Sequence, residues 1–325
     1  MEYRLLGRTG VSVSPLCLGT MMFGPWGNDD RADAIRVIHR ALDAGINFVD
    51  TADVYSGGVS EEITGEALQG RRDEVVLATK FFMPMDDRPN HSGGSRKWIM
   101  QEAENSLRRL KTDYIDLYQV HRPSATTDVE ETLGALTDLV RQGKVRYIGL
   151  SEASVPTIRR AHKVHPITAV QTEYSLWTRD PEDGLLEALR TLDIGFVAYS
   201  PLGRGFLTGQ IKRIDDLAAD DFRRTHPRFT GENFQKNLDL VARVEEIARE
   251  QNCTPAQLAL AWVLAQGDDI VPIPGTRHPE RVEENLHSLD IVLSENDLRR
   301  IDTAAPKGVA AGERYSEGGM KSING

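Results

Sequence analysis

Eight short apolar runs recur along this chain, and the segments between them change hydrophobic period. The runs lie near Leu16–Leu18, Ile46–Val49, Val75–Thr79, Tyr114–Gln119, Val145–Leu150, Thr168–Gln171, Gly195–Tyr199 and Ile270–Ile273. Between them, apolar residues fall three and four apart, as in Ala34, Ile35, Ile38, Ala41 and Leu42, or Leu133, Leu136, Leu139 and Val140. That spacing is one face of an amphipathic helix, whereas the short runs suit strands buried on both sides. Strands that alternate with helices pair in parallel, because each helix carries the chain back to the edge from which the last strand started.

A parallel sheet of this kind either stays open or closes on itself. An open, doubly wound sheet would place a glycine-rich phosphate turn, G-x-G-x-x-G, after its first strand. Here the first strand is followed by Gly19-Thr-Met-Met-Phe-Gly24, and no Pro/Ser-rich linker divides the 325 residues. The expectation is therefore one domain over 1–325, a closed (β/α)8 TIM barrel, which needs roughly 250 residues plus insertions. Tyr3–Leu6 and Val11–Ser14, around Gly7 and Gly10, read as an N-terminal hairpin able to plug the barrel floor. Additional helices are expected at Pro255–Ala265 and Glu295–Thr303. Long loops are expected at Phe81–Ser95 and Gly203–Glu232, with a mobile, glycine-bearing tail over 307–325.

Charge and composition narrow the partners. With 39 Lys+Arg against 49 Asp+Glu the net charge is −10, which disfavours nucleic acid and anionic membranes as partners. Cys17 and Cys253 lie far apart in apolar stretches and read as two buried thiols of a reducing compartment. The start of the sequence shows no apolar signal core, and the longest apolar run, near Leu258–Ala265, is too short to span a bilayer. A cytoplasmic protein acting on a small molecule is the expectation; the oligomeric state is left open.

In a barrel, chemistry collects where strands end at their carboxyl termini. The second strand ends in Asp50, with Tyr55 in the loop after it; the third ends in Lys80; the fourth is followed by His121. Asp50-Thr51 with Glu61-Glu62 also suits helix capping, and a single Lys or His at a strand end is ordinary. Four such groups on three neighbouring strands share one chemistry, however. A phenol, with an ordinary pKa near ~10, is a poor acid unless a cation stabilises its anion. Lys80 supplies the cation and is expected to lower the Tyr55 pKa toward neutral pH, Asp50 anchors that cation, and His121 can donate a hydrogen bond to a carbonyl oxygen. A proton donor beside a carbonyl-polarising group calls for a hydride source, and no flavin or metal-ligand pattern is present.

Asp50-Thr-Ala-x-x-Tyr55, Lys80, His121, Gly149-Leu-Ser151, Gln171, Tyr199-Ser-Pro-Leu202 and Ile273-Pro-Gly275 with Glu284-Asn285 resemble the aldo-keto reductases, in order and over nearly the whole chain. The resemblance, to the branch that includes potassium-channel β subunits and bacterial enzymes, implies a barrel that binds NADPH across its carboxyl-end face. It implies Asp50, Tyr55, Lys80 and His121 as a catalytic tetrad, with Tyr55 the proton donor. Ser151 and Gln171 then hold the carboxamide; Glu152, a further cofactor-binding candidate, stands where many members have Asn, which leaves its own carboxamide contact open. Tyr199 stacks on the nicotinamide, and Gly19, Thr20, Met21, Asp50, Ser200, Pro201, Leu202, Glu284 and Asn285 complete the cofactor contacts.

Two further readings come from the residues themselves. Gly275, Thr276, Arg277 and Arg281 follow the eighth strand and open a helix, so free N–H groups and two arginines one turn apart can take a 2′-phosphate; the competing reading pairs them with Glu284. Gly203, Gly205 and Arg224 of the seventh loop are candidates to close over the pyrophosphate. Trp26, Tyr55, Phe81, Phe82, His121 and Trp177 are candidates for a substrate pocket. The expected activity is reduction of an aldehyde or ketone to an alcohol. Two alternatives are a cofactor-binding regulatory subunit of the channel β type and a Schiff-base lyase using Lys80; Asp50 beside that lysine disfavours the lyase, since it keeps the amine charged.

Overall fold

The computed structural model describes residues 1–323. Eight parallel strands run in chain order around the sheet: β3 (Leu18–Gly19), β4 (Phe48–Asp50), β5 (Val76–Phe81), β6 (Ile115–Val120), β7 (Val145–Ser151), β8 (Ile167–Glu173), β9 (Gly195–Tyr199) and β10 (Ile270–Ile273). A parallel bridge between Gly19 and Gly275 joins the first barrel strand to the last. The amides of Cys17 and Gly19 donate to the carbonyls of Pro272 and Pro274, at 3.0 and 3.3 Å, across the same seam. All eight expected strands are present, and the ring is a (β/α)8 barrel.

Helices α1 (Arg31–Asp43), α2 (Val59–Ala67), α3 (Arg96–Arg109), α4 (Val129–Arg141), α5 (Val155–Val164) and α6 (Leu185–Thr191) each follow one strand from β3 to β8. After β9 come α7 (Gly231–Glu250) and α8 (Pro255–Leu264), the latter opened by a Thr254/Gln257 capping box with Pro at its first position. Helices α9 (Pro279–Leu286) and α10 (Glu295–Ala304) follow β10, with a short α11 (Glu317–Met320) in the tail. The outward residues of the strands, such as Val49, Leu77 and Tyr118, join the inner faces of the helices in one apolar layer.

The barrel interior is a second core. Phe48, Ala78, Leu117, Ala169, Val197 and Val271 fill its lower part, together with Leu6 and Val13. The latter two come from β1 (Arg4–Leu5) and β2 (Ser12–Val13) and the turn beside them; the antiparallel hairpin thus closes the floor, as expected. Its turn presses so closely on β8 that a Cβ at Gly7, where φ is +57°, would lie 2.5 Å from the Thr168 carbonyl oxygen. Along each strand, side chains two residues apart share a face. One step up from the apolar layer the inward residues are therefore Asp50, Lys80, Gln119, Gln171 and Tyr199, and the site begins there.

Candidate active site

Lys80 is fully buried, and its ammonium has a partner for each of its three N–H groups: Asp50 Oδ1 at 2.5 Å, the Thr51 carbonyl at 2.8 Å and the Tyr55 hydroxyl oxygen at 3.3 Å. The other Asp50 oxygen accepts from Gln119 Nε2 at 3.0 Å and Gln171 Nε2 at 2.9 Å. Asp50 is thus committed to the barrel interior and caps no helix; α2 starts from Gly58, without a side-chain cap. Gln119 reaches Asp50 because β7 carries Gly149, where a Cβ would lie 2.8 Å from Gln119 Cγ. Tyr55 sits on a short 3₁₀ turn over Tyr55–Gly58, and the His121 ring meets the Tyr55 ring edge-on, with centroids 5.8 Å apart. The structure therefore brings Asp50, Tyr55, Lys80 and His121 together.

Burial sets the electrostatics of this cluster. It pushes the Tyr55 phenol above its ordinary range, and the Lys80 charge pulls it back only in part, with Asp50 opposing. The sequence-based expectation of a phenol lowered toward neutral pH is corrected accordingly: Lys80 acts in the expected direction, but the loss of water around Tyr55 outweighs it. Burial also opposes the Lys80 charge, yet Asp50 and Tyr55 outweigh that effect and hold its pKa above the ordinary value. Burial, reinforced by Lys80 and Arg122, drives His121 well below the usual imidazole range, so it is neutral at pH 7 and donates through one N–H.

Around the rim, Ser151 ends β7 with its Oγ buried and without a hydrogen-bond partner, while Trp26, 51% exposed, lies 6.2 Å from the Tyr55 ring. The Gly203 and Gly205 turn uses positive φ at both glycines and at Ser200. Thr276 Oγ1 accepts from the His278 amide at 3.1 Å just before α9, whose N-terminus has no side-chain cap. The orphaned Ser151 hydroxyl and the open N-terminus of α9 fit a ligand with a carboxamide at one end and phosphate at the other.

Several expected contacts are arranged differently. Trp177 is 3% exposed and packs on Phe206 and Phe229 beneath Gly203, so it belongs to the core under the seventh loop and not to a pocket. Phe81 points outward against Tyr118, while Phe82, at φ +137°, is half-buried. Arg224 turns into its own loop, donating to the carbonyls of Leu217 and Ala218 and pairing with Asp215. Arg281 pairs with Glu284, and Arg277 is exposed. Thr20 gives its hydroxyl to the Asp50 carbonyl, Met21 is exposed, and Asn285 is buried.

Glu152 is buried at φ +54° and takes a two-pronged ion pair from Arg314, at 3.2 and 2.9 Å, while accepting from the Glu173 amide at 3.1 Å. Glu173 in turn binds Arg204 at 2.8 Å and Arg228 at 3.2 Å. The next tail residue, Tyr315, shares a 2.7 Å hydrogen bond with the Tyr199 hydroxyl. Tail residues 311–315, read from their glycines as mobile, are thus tied into the carboxyl-end face; residues 324 and 325 lie outside the described residues. Sequence reading missed Gln119, Glu173, Arg228, Arg314 and Tyr315. Strand parity from His121 flags Gln119, whereas no sequence signal places the tail beside β7.

The comparisons with known proteins agree with this geometry. The model of the Aldo/keto reductase family matches residues 15–306. The chain is 47% identical over 317 residues to a protein named "Probable aldo-keto reductase 1" from Glycine max, covering 96% of this chain and 91% of that one. Among solved structures it resembles a thermostable aldo-keto reductase crystallised with the inhibitor epalrestat, at 33% identity and a TM-score of 0.76, with 94% and 100% of the two chains covered. It also resembles the glycerol dehydrogenase of Gluconobacter oxydans, at 32% identity and a TM-score of 0.83, covering 93% and 94%. A family match over this much of the chain, joined to the fold, identifies an oxidoreductase: the protein belongs to the aldo/keto reductase family, whose members generally use nicotinamide cofactors.

Proposed function

We propose that the protein reduces an aldehyde or ketone to an alcohol with NADPH as reductant and Tyr55 as the general acid. The observation that supports this most directly is the line from Asp50 through Lys80 Nζ to the Tyr55 hydroxyl oxygen, 2.5 and 3.3 Å long. Because Lys80 donates to that oxygen, the phenol's own proton is free to point at a substrate carbonyl oxygen. Bound NADPH supplies the hydride. Tyr55 passes its proton to the oxygen of the substrate, and the phenolate left behind sits against the buried ammonium. Neutral His121 orients the carbonyl by donating a second hydrogen bond. Asp50, held by Gln119 and Gln171, keeps Lys80 charged, which also removes it from Schiff-base chemistry.

For the cofactor, Ser151 and Gln171 are assigned to the carboxamide, Tyr199 to the nicotinamide face, and Thr276, Arg277 and Arg281 to the adenosine 2′-phosphate. The test is loss of nicotinamide absorbance with NADPH and a panel of aldehydes and ketones, comparing the unmodified protein with Tyr55→Phe. Turnover should fall by a factor on the order of 10² or more while NADPH still binds. Near-normal turnover in Tyr55→Phe would remove Tyr55 from the mechanism.

A further inference from the structure

Arg122 directly follows His121 at the end of β6 and is half-buried beside the tetrad. Among the described residues its guanidinium makes one hydrogen bond, a 2.7 Å contact to the carbonyl of its own neighbour His121. Among the described residues no carboxylate pairs with it. The neighbouring cations differ in this respect: Lys80 pairs with Asp50, Arg204 and Arg228 with Glu173, and Arg314 with Glu152. The Tyr315 ring lies beneath the Arg122 guanidinium, 6.0 Å from its centre, with the Tyr315 hydroxyl held on Tyr199.

Glu152 acts on Arg122 through its charge without forming a hydrogen bond or ion pair with it and is already taken by Arg314, so a bound anion would satisfy guanidinium N–H groups that have no protein acceptor. In a protein of net charge −10, a surplus cation at this position is a local exception to the surface as a whole. The cofactor phosphates do not account for it. Their assigned place is the N-terminus of α9 after β10, and β6 lies four strands from β10, across the barrel. If His121 meets the carbonyl, the residue after it lies beside the part of a substrate beyond that carbonyl.

Resting on the reading of Tyr55 and His121 as the groups that meet the carbonyl, we propose that Arg122, with the Tyr315 ring beneath its guanidinium, binds an oxyanion carried by the substrate. The compounds this site takes best are then aldehydes or ketones bearing a carboxylate or a phosphate. Arg122 acts on specificity, since the proton and the carbonyl remain with Tyr55 and His121.

The test compares matched charged and neutral substrates in the unmodified protein, Arg122→Met and Arg122→Lys. The carboxylate pair is 4-carboxybenzaldehyde and its neutral isostere 4-nitrobenzaldehyde; the phosphate pair is glyceraldehyde 3-phosphate and glyceraldehyde. Arg122→Met should raise KM for the charged member of at least one pair on the order of 10- to 100-fold more than for its neutral member, because a charge-assisted hydrogen bond is lost. Arg122→Lys should recover part of that selectivity, and the pair that responds names the oxyanion. KM values that rise equally for charged and neutral members in both pairs overturn the proposal. Calorimetric binding of benzoate and of inorganic phosphate supplies a readout without turnover. If no carbonyl compound is reduced but Arg122→Met abolishes binding of one of these anions, the reductase reading fails and the anion site stands; anion binding unchanged by Arg122→Met overturns the site itself.

Discussion

Arg314, in the tail, and Glu152, just past the end of β7, form a two-pronged ion pair with both side chains almost wholly out of water. Glu152 also receives the Glu173 amide, and Asn237 of α7 exchanges hydrogen bonds with the backbone of Ala311, at 2.9 Å in each direction. The tail is thereby part of the wall around Tyr199.

Removing one partner of this pair should be more damaging than removing both. Arg314→Ala leaves Glu152 buried and charged, and urea unfolding should show a loss of about 3 to 5 kcal/mol. The double variant with Glu152→Gln should recover part of that loss, because no isolated charge remains. Limited proteolysis should cut the tail beyond Lys307 slowly in the unmodified protein and quickly in Arg314→Ala.

Lys80→Met should slow reduction by a factor on the order of 10². Burial holds the Tyr55 pKa up and Lys80 partly offsets this, so deleting the charge should move the alkaline limb of the pH profile further upward. Asp50→Asn should shift it less, since the ammonium stays. The values belong to the coupled cluster, so the direction of the shift is the measured quantity. An unmoved alkaline limb in Lys80→Met would contradict this account.

Cofactor choice should depend on Arg277 and Arg281. Replacing both with Ala should weaken NADPH binding by about 1.5 to 3 kcal/mol for each charged hydrogen bond lost, and NADH binding far less. Fluorescence titration of both cofactors reads the difference. Because Arg281 pairs with Glu284, Glu284→Gln should affect the two cofactors unequally as well.

His226 links stability to acid pH. Burial beside Phe229 and Tyr315, with Arg204 adding to the effect, holds its pKa down at about 4, against an ordinary 6.5. Between those values the unfolded chain binds a proton that the folded chain does not, so stability falls as pH drops through this window, by about 3 kcal/mol by pH 4. His226→Phe should remove that part of the pH dependence, as read by urea midpoints at pH 7 and pH 4.5. A variant with an unchanged pH slope would show that His226 is not the group responsible.

The barrel and the tetrad were legible in the sequence because both follow from short-range regularities. Strand and helix periods alternate within a few residues, and Asp50, Lys80 and His121 end strands or directly follow them. Position along a strand then fixes which rim a side chain reaches. Even Gln119 obeys that parity with His121, although an uncharged residue inside an apolar run carries no signal of chemistry. What tertiary structure alone decided involves groups far apart in the chain or the balance between burial and charge. Trp177 looks like a rim aromatic until Phe206, Phe229 and Gly203 are packed around it. The Tyr55 pKa moves upward because desolvation there exceeds the pull of Lys80, and desolvation has no sequence signature. Arg314 meets Glu152 across 162 residues of chain, so its role depends on the path of a tail that, by composition, reads as solvent-exposed.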